Sequence, residues 1–325
     1  MAFASSPEVK DRIVLTLVRC WCFVRHPRLC GRTYKRSRER PDPATPASYA
    51  DKFLWRKIFD HDPRFTTVSE KLAAKKLALA VCPELKTAEV LWTGDNPESI
   101  PSEMLAGSVV VKANHGCGWN VMVLDGKVDV PALRARASNW MRRRYGRSFG
   151  EWAYKNANRC LFIEEMLLLD GQPVRCEYKF HVSSGRTAYA YASRRSDRGE
   201  EQKCHFEADG RICRAPPGAG ANWVDIDPPA SFNRMRLIAE KLAQPFDHMR
   251  CDFYEVNGEI YFSEFCVYPL SGQGIHNTRL RDLCNEGWDL RESWFLTAPQ
   301  TGWRKHYAGA LRRRLDRNGS PHRPV

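Results

Sequence analysis

The chain lacks the features of a membrane-spanning or secreted protein. Its longest apolar run near the N-terminus, Ile13 to Val18, resumes only after Arg19. This run is far shorter than the ~20 apolar residues that a spanning helix needs. Glu8 and Asp11 precede the run and no small-residue cleavage site follows it, which argues against a secretory signal. We therefore expect a cytoplasmic protein.

Several short motifs are also missing. The sequence has neither the P-loop pattern GxxxxGK[ST] nor the dinucleotide fingerprint GxGxxG. It has 12 cysteines but no CxxC pair, so we expect free thiols in a reducing compartment. The residues Cys20, Cys22, His26 and Cys30 have a spacing that fits no common zinc module, and small apolar cysteines on a helix explain them better.

Positive charge is concentrated at the two ends of the chain. Residues 1–50 carry 10 Lys/Arg against 4 Asp/Glu, and residues 303–325 carry 7 against 1. The middle is nearly neutral, with 34 basic and 33 acidic residues, so we expect no nucleic-acid partner. Two interpretations of the ends stay open: solvated, poorly ordered segments, or a docking device for an anionic membrane surface. In the second, an amphipathic helix lies on the inner face of the membrane, with Arg12, Arg19, Arg25 and Arg28 around its apolar residues.

The hydrophobic patterns indicate a mixture of helices and strand pairs. Helices are predicted at 52–60, 69–81 (with Ser69 as N-cap), 130–144 and 232–243. Strands are predicted at 88–92, 108–112, 122–124, 160–166, 174–182, 187–193, 249–256 and 259–267, and loops at 36–48 and 197–230. Asn257-Gly258 suits a tight type I′ hairpin turn. This order favours an α+β fold over an alternating parallel sheet.

Three stretches carry candidate chemistry. In the first, a buried strand, Val109 to Lys112, delivers a lysine to a loop that contains Gly116 and Gly118. Bare backbone N–H groups in such a loop can hold phosphate oxygens, although a simple hairpin turn would look the same. In the second, an apolar strand ends in Glu164-Glu165, of which one side chain can face a site.

The third stretch is the most specific. Arg250 and Asp252 share one face of a strand by the period of two, and the hairpin returns Glu264 alongside them. Paired carboxylates on adjoining strands suit Mg²⁺, which uses carboxylates together with substrate phosphates. Inward charges in an apolar hairpin are costly unless they are paired or bound to metal.

Together and in this order, these stretches resemble the ATP-grasp superfamily, and more closely its TupA-like (teichuronopeptide biosynthesis) family. The resemblance covers roughly residues 50–285 and is carried by KFLWRKIFD with a following SEK, VVVKANHGCG, LFIEEML, EYKFHV and MRCDFYEVNGEIYFSEFCVYPLSGQG. It implies an ATP-grasp fold with two subdomains, about 49–160 and 161–290, and the nucleotide between them. The domain would span 49–300, between a basic segment at 1–48 and a basic tail at 301–325.

The resemblance also implies roles for individual residues. ATP would be bound by Lys112, by the loop residues Asn114, His115, Gly116 and Gly118, by Glu164 and Glu165 at a hinge, and by Glu177 and Lys179. Arg250 and Lys179 would stabilise the transferring phosphoryl group, and Asp252 and Glu264 would bind Mg²⁺. The sequence departs from the pattern at Cys266, where many ATP-grasp enzymes have an asparagine ligand, which puts a second metal ion in doubt.

The activity that the resemblance implies is an ATP- and Mg²⁺-dependent carboxylate–amine ligase that works through an acylphosphate. It would attach an amino acid or similar amine to a uronic acid or other carboxylate of a glycan precursor, in cell-surface polysaccharide biosynthesis. We place the acceptor near Arg194, Arg195, Gln273 and His276. The alternatives are a phosphotransferase acting on a glycan precursor and a non-catalytic protein that docks on a membrane or polymer.

Overall fold

The computed structural model describes residues 6–196, 199–214, 222–272 and 278–319. Within these ranges the helices are α1 (Pro7–Arg25), α2 (Pro27–Ser37), α3 (Tyr49–Ile58), α4 (Arg64–Ser69), α5 (Lys71–Val81), α6 (Val130–Arg142), α7 (Phe232–Ala243), α8 (Thr278–Gly287), α9 (Trp294–Thr297) and α10 (Gly302–Arg317). The strands are β1 (Val90–Gly94), β2 (Val109–Ala113), β3 (Asn120–Val123), β4 (Leu161–Glu165), β5 (Leu168–Leu169), β6 (Gln172–Pro173), β7 (Cys176–Ser183), β8 (Arg186–Arg195), β9 (Glu201–Phe206), β10 (His248–Val256) and β11 (Glu259–Cys266).

The strands form two main antiparallel sheets. The first sheet has the order β1-β4-β2-β3, and α6 packs against it around a small core that includes Val111, Leu133 and Ile163. The second has the order β11-β10-β7-β8-β9 and belongs to a larger core. The α+β prediction is therefore correct. Strand β4 pairs with β1 and β2 within the first sheet.

The two basic ends are folded where the structure describes them. Helix α1 packs against α10, and Asp11 pairs with Arg313 at 2.6 Å. Tyr307 is fully buried, accepts a hydrogen bond from Trp55 Nε1 at 2.9 Å and donates one to the Ala44 carbonyl at 3.0 Å. The interpretation of these ends as poorly ordered is therefore wrong for residues 6–48 and 301–319, and residues 38–48 are packed rather than a free linker.

The remaining differences from the predicted elements have local causes. Ser69 ends α4 instead of capping α5, because the chain becomes extended at Glu70 (φ −88°, ψ 117°). Strand β9 lies in the predicted 197–230 loop, since its polar side chains give no strong apolar alternation. The Asn257-Gly258 turn has positive φ at both residues (52° and 79°), as a type I′ turn requires, so that prediction is confirmed.

No helix among the described residues is both long enough and apolar enough to cross a bilayer. Helix α1 is apolar on two opposite faces. One face is buried in the protein, through Leu15, Val18 and Cys22, and the opposite face is exposed and also apolar, through Ile13 and Leu17.

Candidate active site

A cleft lies between the two sheets, and its volume is about 670 Å³ including space open to solvent. The first sheet contributes Lys112 from β2 and Glu164 from β4, and the second contributes Tyr254 and Ser263 from β10 and β11. Lys75 reaches the same cleft from α5. Polar groups converge on this cleft from both sheets, as they do in small-molecule sites.

Glu164 is the centre of charge on the first wall of the cleft. The side chain is 6% exposed, and it pairs with Lys112 on one oxygen and with Lys75, at 2.5 Å, on the other. Burial alone would raise the pKa of Glu164, but the two ammonium groups outweigh it and lower this pKa. Glu165 also lines the cleft, where its Oε1 accepts a hydrogen bond from the Glu89 N–H at 3.0 Å.

The second sheet carries a row of charges set by strand register, and it adjoins the cleft at Ser263, which donates a hydrogen bond to Glu177 at 2.7 Å. Asp252 on β10 lies directly opposite Glu264 on β11 and Lys179 on β7. Asp252 is fully buried; it accepts two bonds from Arg250, both at 2.7 Å, and one from Lys179 at 2.6 Å. Lys179 also pairs with Glu177.

These ion pairs fix the protonation states of the row. Burial would raise the pKa of Asp252, but Arg250 and Lys179 lower it, so the carboxylate is charged. Burial would likewise lower the pKa of Lys179, which Asp252 and Glu177 instead raise well above its usual value. Burial raises the pKa of the neighbouring Cys266 thiol to about 12, which keeps it neutral. The row therefore balances three cations, counting Lys71, against three carboxylates.

Two lysines of α5 belong to the site without having been assigned a role from the sequence. Lys71 Nζ donates a hydrogen bond to the Gly116 carbonyl at 2.7 Å and pairs with Glu264 at 3.2 Å, so it links the glycine loop to the charge row. Lys75 holds Glu164. Their spacing of four residues places them on one helix face, which is the signal that the sequence offered. Lys71 also lies in the SEK stretch of the family resemblance.

The glycine loop uses its side chains internally. Asn114 is buried, accepts a hydrogen bond from the Leu72 N–H and donates one to the Asn158 carbonyl, both at 2.9 Å. His115 is buried, with Nε2 3.2 Å from the Trp140 carbonyl oxygen. Any phosphate contact from this loop would thus come from backbone N–H groups. Gly116 is needed for packing, because a Cβ there would lie 2.7 Å from the Trp119 ring.

The acceptor and zinc-binding candidates from the sequence remain to be placed. The acceptor residues Gln273 and His276 lie outside the described residues, whereas Arg194 and Arg195 end β8. Among the described residues no group of three or more His, Cys, Asp or Glu side chains is placed to hold a metal ion. This finding covers Cys20, Cys22, His26 and Cys30 of α1 and α2.

The sequence also contains a GxSxG pattern at Gly146 to Gly150. Ser148 lies in a short 3₁₀ turn rather than at a strand-to-helix elbow, so a serine hydrolase is unsupported.

A strand lysine, Lys112, lines a cleft between two antiparallel sheets, and a row of charges with paired carboxylates lies beside it on the second sheet. Lys71 links this row to the glycine loop. This arrangement fits a nucleotide-dependent enzyme of the ATP-grasp class. The chain belongs to the TupA-like ATP-grasp family, whose model matches residues 51–283.

Solved structures of the same fold include the ATP-grasp ligase PsnB complexed with a minimal precursor (11% identity, TM-score 0.39, covering 74% of this chain and 68% of that chain). A second is the D-alanine–D-alanine ligase from Bacillus anthracis complexed with ATP (15% identity, TM-score 0.38, 68% and 64%). A third is N5-carboxyaminoimidazole synthetase from Staphylococcus aureus complexed with ADP (11% identity, TM-score 0.39, 69% and 53%). No curated protein matches the chain.

Proposed function

We propose that the chain uses ATP and Mg²⁺ to join an amino acid or similar amine to a uronic acid or other carboxylate in cell-surface polysaccharide biosynthesis. The observation that carries this proposal is the charge row in which Asp252, opposite Glu264 and Lys179, is held by Arg250. Such a buried and balanced cluster is expensive to form for packing alone. It is well suited to receive a polyphosphate and a divalent cation.

The donor set fits magnesium. Asp252 and Glu264 supply only oxygen ligands, which Mg²⁺ prefers, and they lie on neighbouring strands at matched positions. Glu264 is the more open of the two, with its side chain 22% exposed, whereas the oxygens of Asp252 already accept bonds from Arg250 and Lys179. The neutral Cys266 is a poor ligand for this ion, which supports one strong metal position rather than two.

The residues of the chain would act by alignment and by charge. Lys112 and Lys75, with Glu164 between them, would hold the nucleotide on the first wall. Lys179 and Arg250 are fixed by Asp252, so they can stabilise charge on the transferring phosphoryl group without rearrangement. Mg²⁺, when bound, would neutralise phosphate charge.

The covalent steps that we propose are two. A substrate carboxylate oxygen attacks the γ-phosphorus of ATP, which forms an acylphosphate as the bond to ADP breaks. An amine then attacks the acyl carbon, which forms an amide and releases inorganic phosphate, and the amine loses its proton to solvent or to a base.

The glycan part of the proposal is supported by a row of aromatic rings beside the charges. Lys179 lies opposite Tyr191 on β8, which lies opposite His205 on β9, so the charged row continues as an aromatic row. Trp223, half-buried, contacts His205 with ring centroids 4.2 Å apart and ring planes inclined by 38°. Aromatic faces suit the C–H faces of sugar rings. Because Tyr191 is buried, we propose that the half-buried Trp223 ring would contact the sugar.

We further propose a cytoplasmic location, consistent with the free cysteines, and an anionic membrane surface as a partner through the basic helices at the two ends. The phosphotransferase and the non-catalytic docking protein remain as alternatives, and no contact in the described residues favours either one.

The test is a screen for ADP release with pairs of carboxylates and amines, in which uronic acid sugars and amino acids are represented. The proposal predicts ADP release only when Mg²⁺, a carboxylate and an amine are all present, together with an amide product. ADP release with a sugar alcohol alone, yielding a phosphosugar, would indicate the phosphotransferase. No nucleotide turnover with any pair, and no ATP binding, would favour the docking protein.

A further inference from the structure

The outer face of α1 is apolar although it faces solvent. Val9, Ile13, Leu17 and Val24 are 45%, 52%, 64% and 82% exposed. Successive members are four, four and seven residues apart, which puts them on one side of the helix, opposite the buried face. At 1.5 Å per residue the stripe is roughly 22 Å long. We call these four residues, with Trp21, the α1 stripe.

Helix α10 runs antiparallel beside the α1 stripe and extends it. Trp303, at the start of α10, contacts Trp21 with ring centroids 5.1 Å apart and is 45% exposed. At the other end, Arg313 and Arg317 pair with Asp11. Tryptophan side chains are favoured where an apolar phase meets water, because the ring is apolar and its N–H is polar.

The rim of the stripe is basic. By helical spacing Arg12 and Arg25 lie on the two sides of the stripe and Lys10 lies within it, and all three are exposed. Helix α10 adds further exposed cations, Lys305, Arg312 and Arg314. Most acids nearby are already paired with cations, since Asp11 pairs with Arg313, Asp42 with Arg19 and Asp316 with Arg291. Glu8, in the first turn of α1, is an exposed exception.

We propose that the α1 stripe and its basic rim, including α10, dock on an anionic phospholipid bilayer. An apolar stripe with cations on both sides is the pattern of a helix that lies in the plane of the membrane interface. A second copy of the chain is a poorer occupant, because a symmetric contact would bring like-charged rims together. This inference deepens the membrane partnership proposed above and does not depend on the ligase chemistry.

The experiment is co-sedimentation of the full chain with vesicles of phosphatidylcholine, with or without about one-third phosphatidylglycerol. The wild-type protein should bind only the anionic vesicles, and binding should weaken as salt is added. Ile13→Ser combined with Leu17→Ser should reduce the partition coefficient by about tenfold or more, since two apolar side chains no longer enter the interface. Arg12→Gln combined with Arg314→Gln should reduce it several-fold.

The matched control is Leu237→Ser on α7, because Leu237 is 56% exposed but far along the chain from both helices. It should bind vesicles as the wild type does. The thermal shift with ATP and Mg²⁺ should be the same in all variants, so a failure of the ligase proposal is distinguishable from a failure of this one. The inference is overturned if the wild-type chain ignores anionic vesicles, or if Ile13→Ser with Leu17→Ser binds them equally well. It is also overturned if these substitutions instead abolish a dimer.

Discussion

At the scale of single residues, the carboxylates of the charge row differ in what surrounds them. Asp252 is fully buried between Arg250 and Lys179, whereas Glu264 is partly open and lies 3.2 Å from Lys71. A substitution that removes the charge therefore has different structural consequences at the two positions.

We expect Glu264→Gln to lower kcat by orders of magnitude with little loss of stability, because a metal ligand is lost at a partly open position. Asp252→Asn should lower kcat similarly but also cost about 3–5 kcal/mol of unfolding free energy, since Arg250 and Lys179 lose the buried anion that they share. The measurements are ADP release and urea denaturation of both variants. Wild-type turnover in both would mean that these carboxylates are structural only.

The two lysines of α5 give a second prediction at this scale. Lys75→Met should weaken ATP binding by about tenfold, because Glu164 loses one of its two cations and the first wall loses a positive charge. The control is Lys76→Met, one residue further on and exposed, which should bind ATP normally. Calorimetric titration with ATP and Mg²⁺ measures both. Equal affinity in the two variants would remove Lys75 from the site.

At the scale of elements, the register of the β10–β11 hairpin aligns Asp252 with Glu264, and the Asn257-Gly258 turn closes that hairpin. We expect Gly258→Ala to cost about 1 kcal/mol or more, because alanine is disfavoured at φ 79°. Gly31→Ala, in the open surface of helix α2, should instead stabilise the protein by about 0.5–1 kcal/mol. Urea denaturation compares the two. Equal effects would show that the turn conformation contributes nothing.

This hairpin was predictable from the sequence because its information is local. Asn-Gly fixes the turn, and the period of two then puts Arg250 and Asp252 on one face. Strand β9 was not predictable in the same way, since it is held by pairing with β8 rather than by its own pattern. The roles of Lys71 and Lys75 in the site were also not predicted, because their partners Glu264 and Glu164 are far away in sequence.

At the scale of the whole molecule, the ends of the chain belong to the large core. Leu15, Val18 and Cys22 of α1 pack in it together with Tyr307 and Leu311 of α10. Net charge could not reveal this packing, because it reports the exposed faces of these helices and not the buried ones. The sequence therefore correctly predicted that the charge lies at the ends, but not that the ends are folded.

Buried histidines predict how stability depends on pH. Burial lowers the pKa of His115, His181 and His248, and it lowers the pKa of His205 to about 4. Because these folded-state values lie below the unfolded value near 6.5, stability is fully present above that pH and is lost as the pH falls towards 4. His205 alone should contribute on the order of 3 kcal/mol over this range.

The measurement is the free energy of unfolding between pH 7 and pH 4. His205→Gln should flatten the dependence by removing one titrating group, whereas His306→Gln, on the exposed side of α10, should not. An unfolding free energy that stays constant over this range would contradict the burial of these rings as neutral groups.

The central claim, that the chain activates a carboxylate through an acylphosphate, is tested most directly by isotope transfer. A carboxylate substrate that supports ADP release is labelled with ¹⁸O in its carboxyl group, and the inorganic phosphate released in the presence of the amine is analysed by mass spectrometry. The account predicts that one ¹⁸O atom passes from the carboxylate to each phosphate, and that Glu264→Gln abolishes this transfer. Phosphate that carries no label, while the amide still forms, would contradict it.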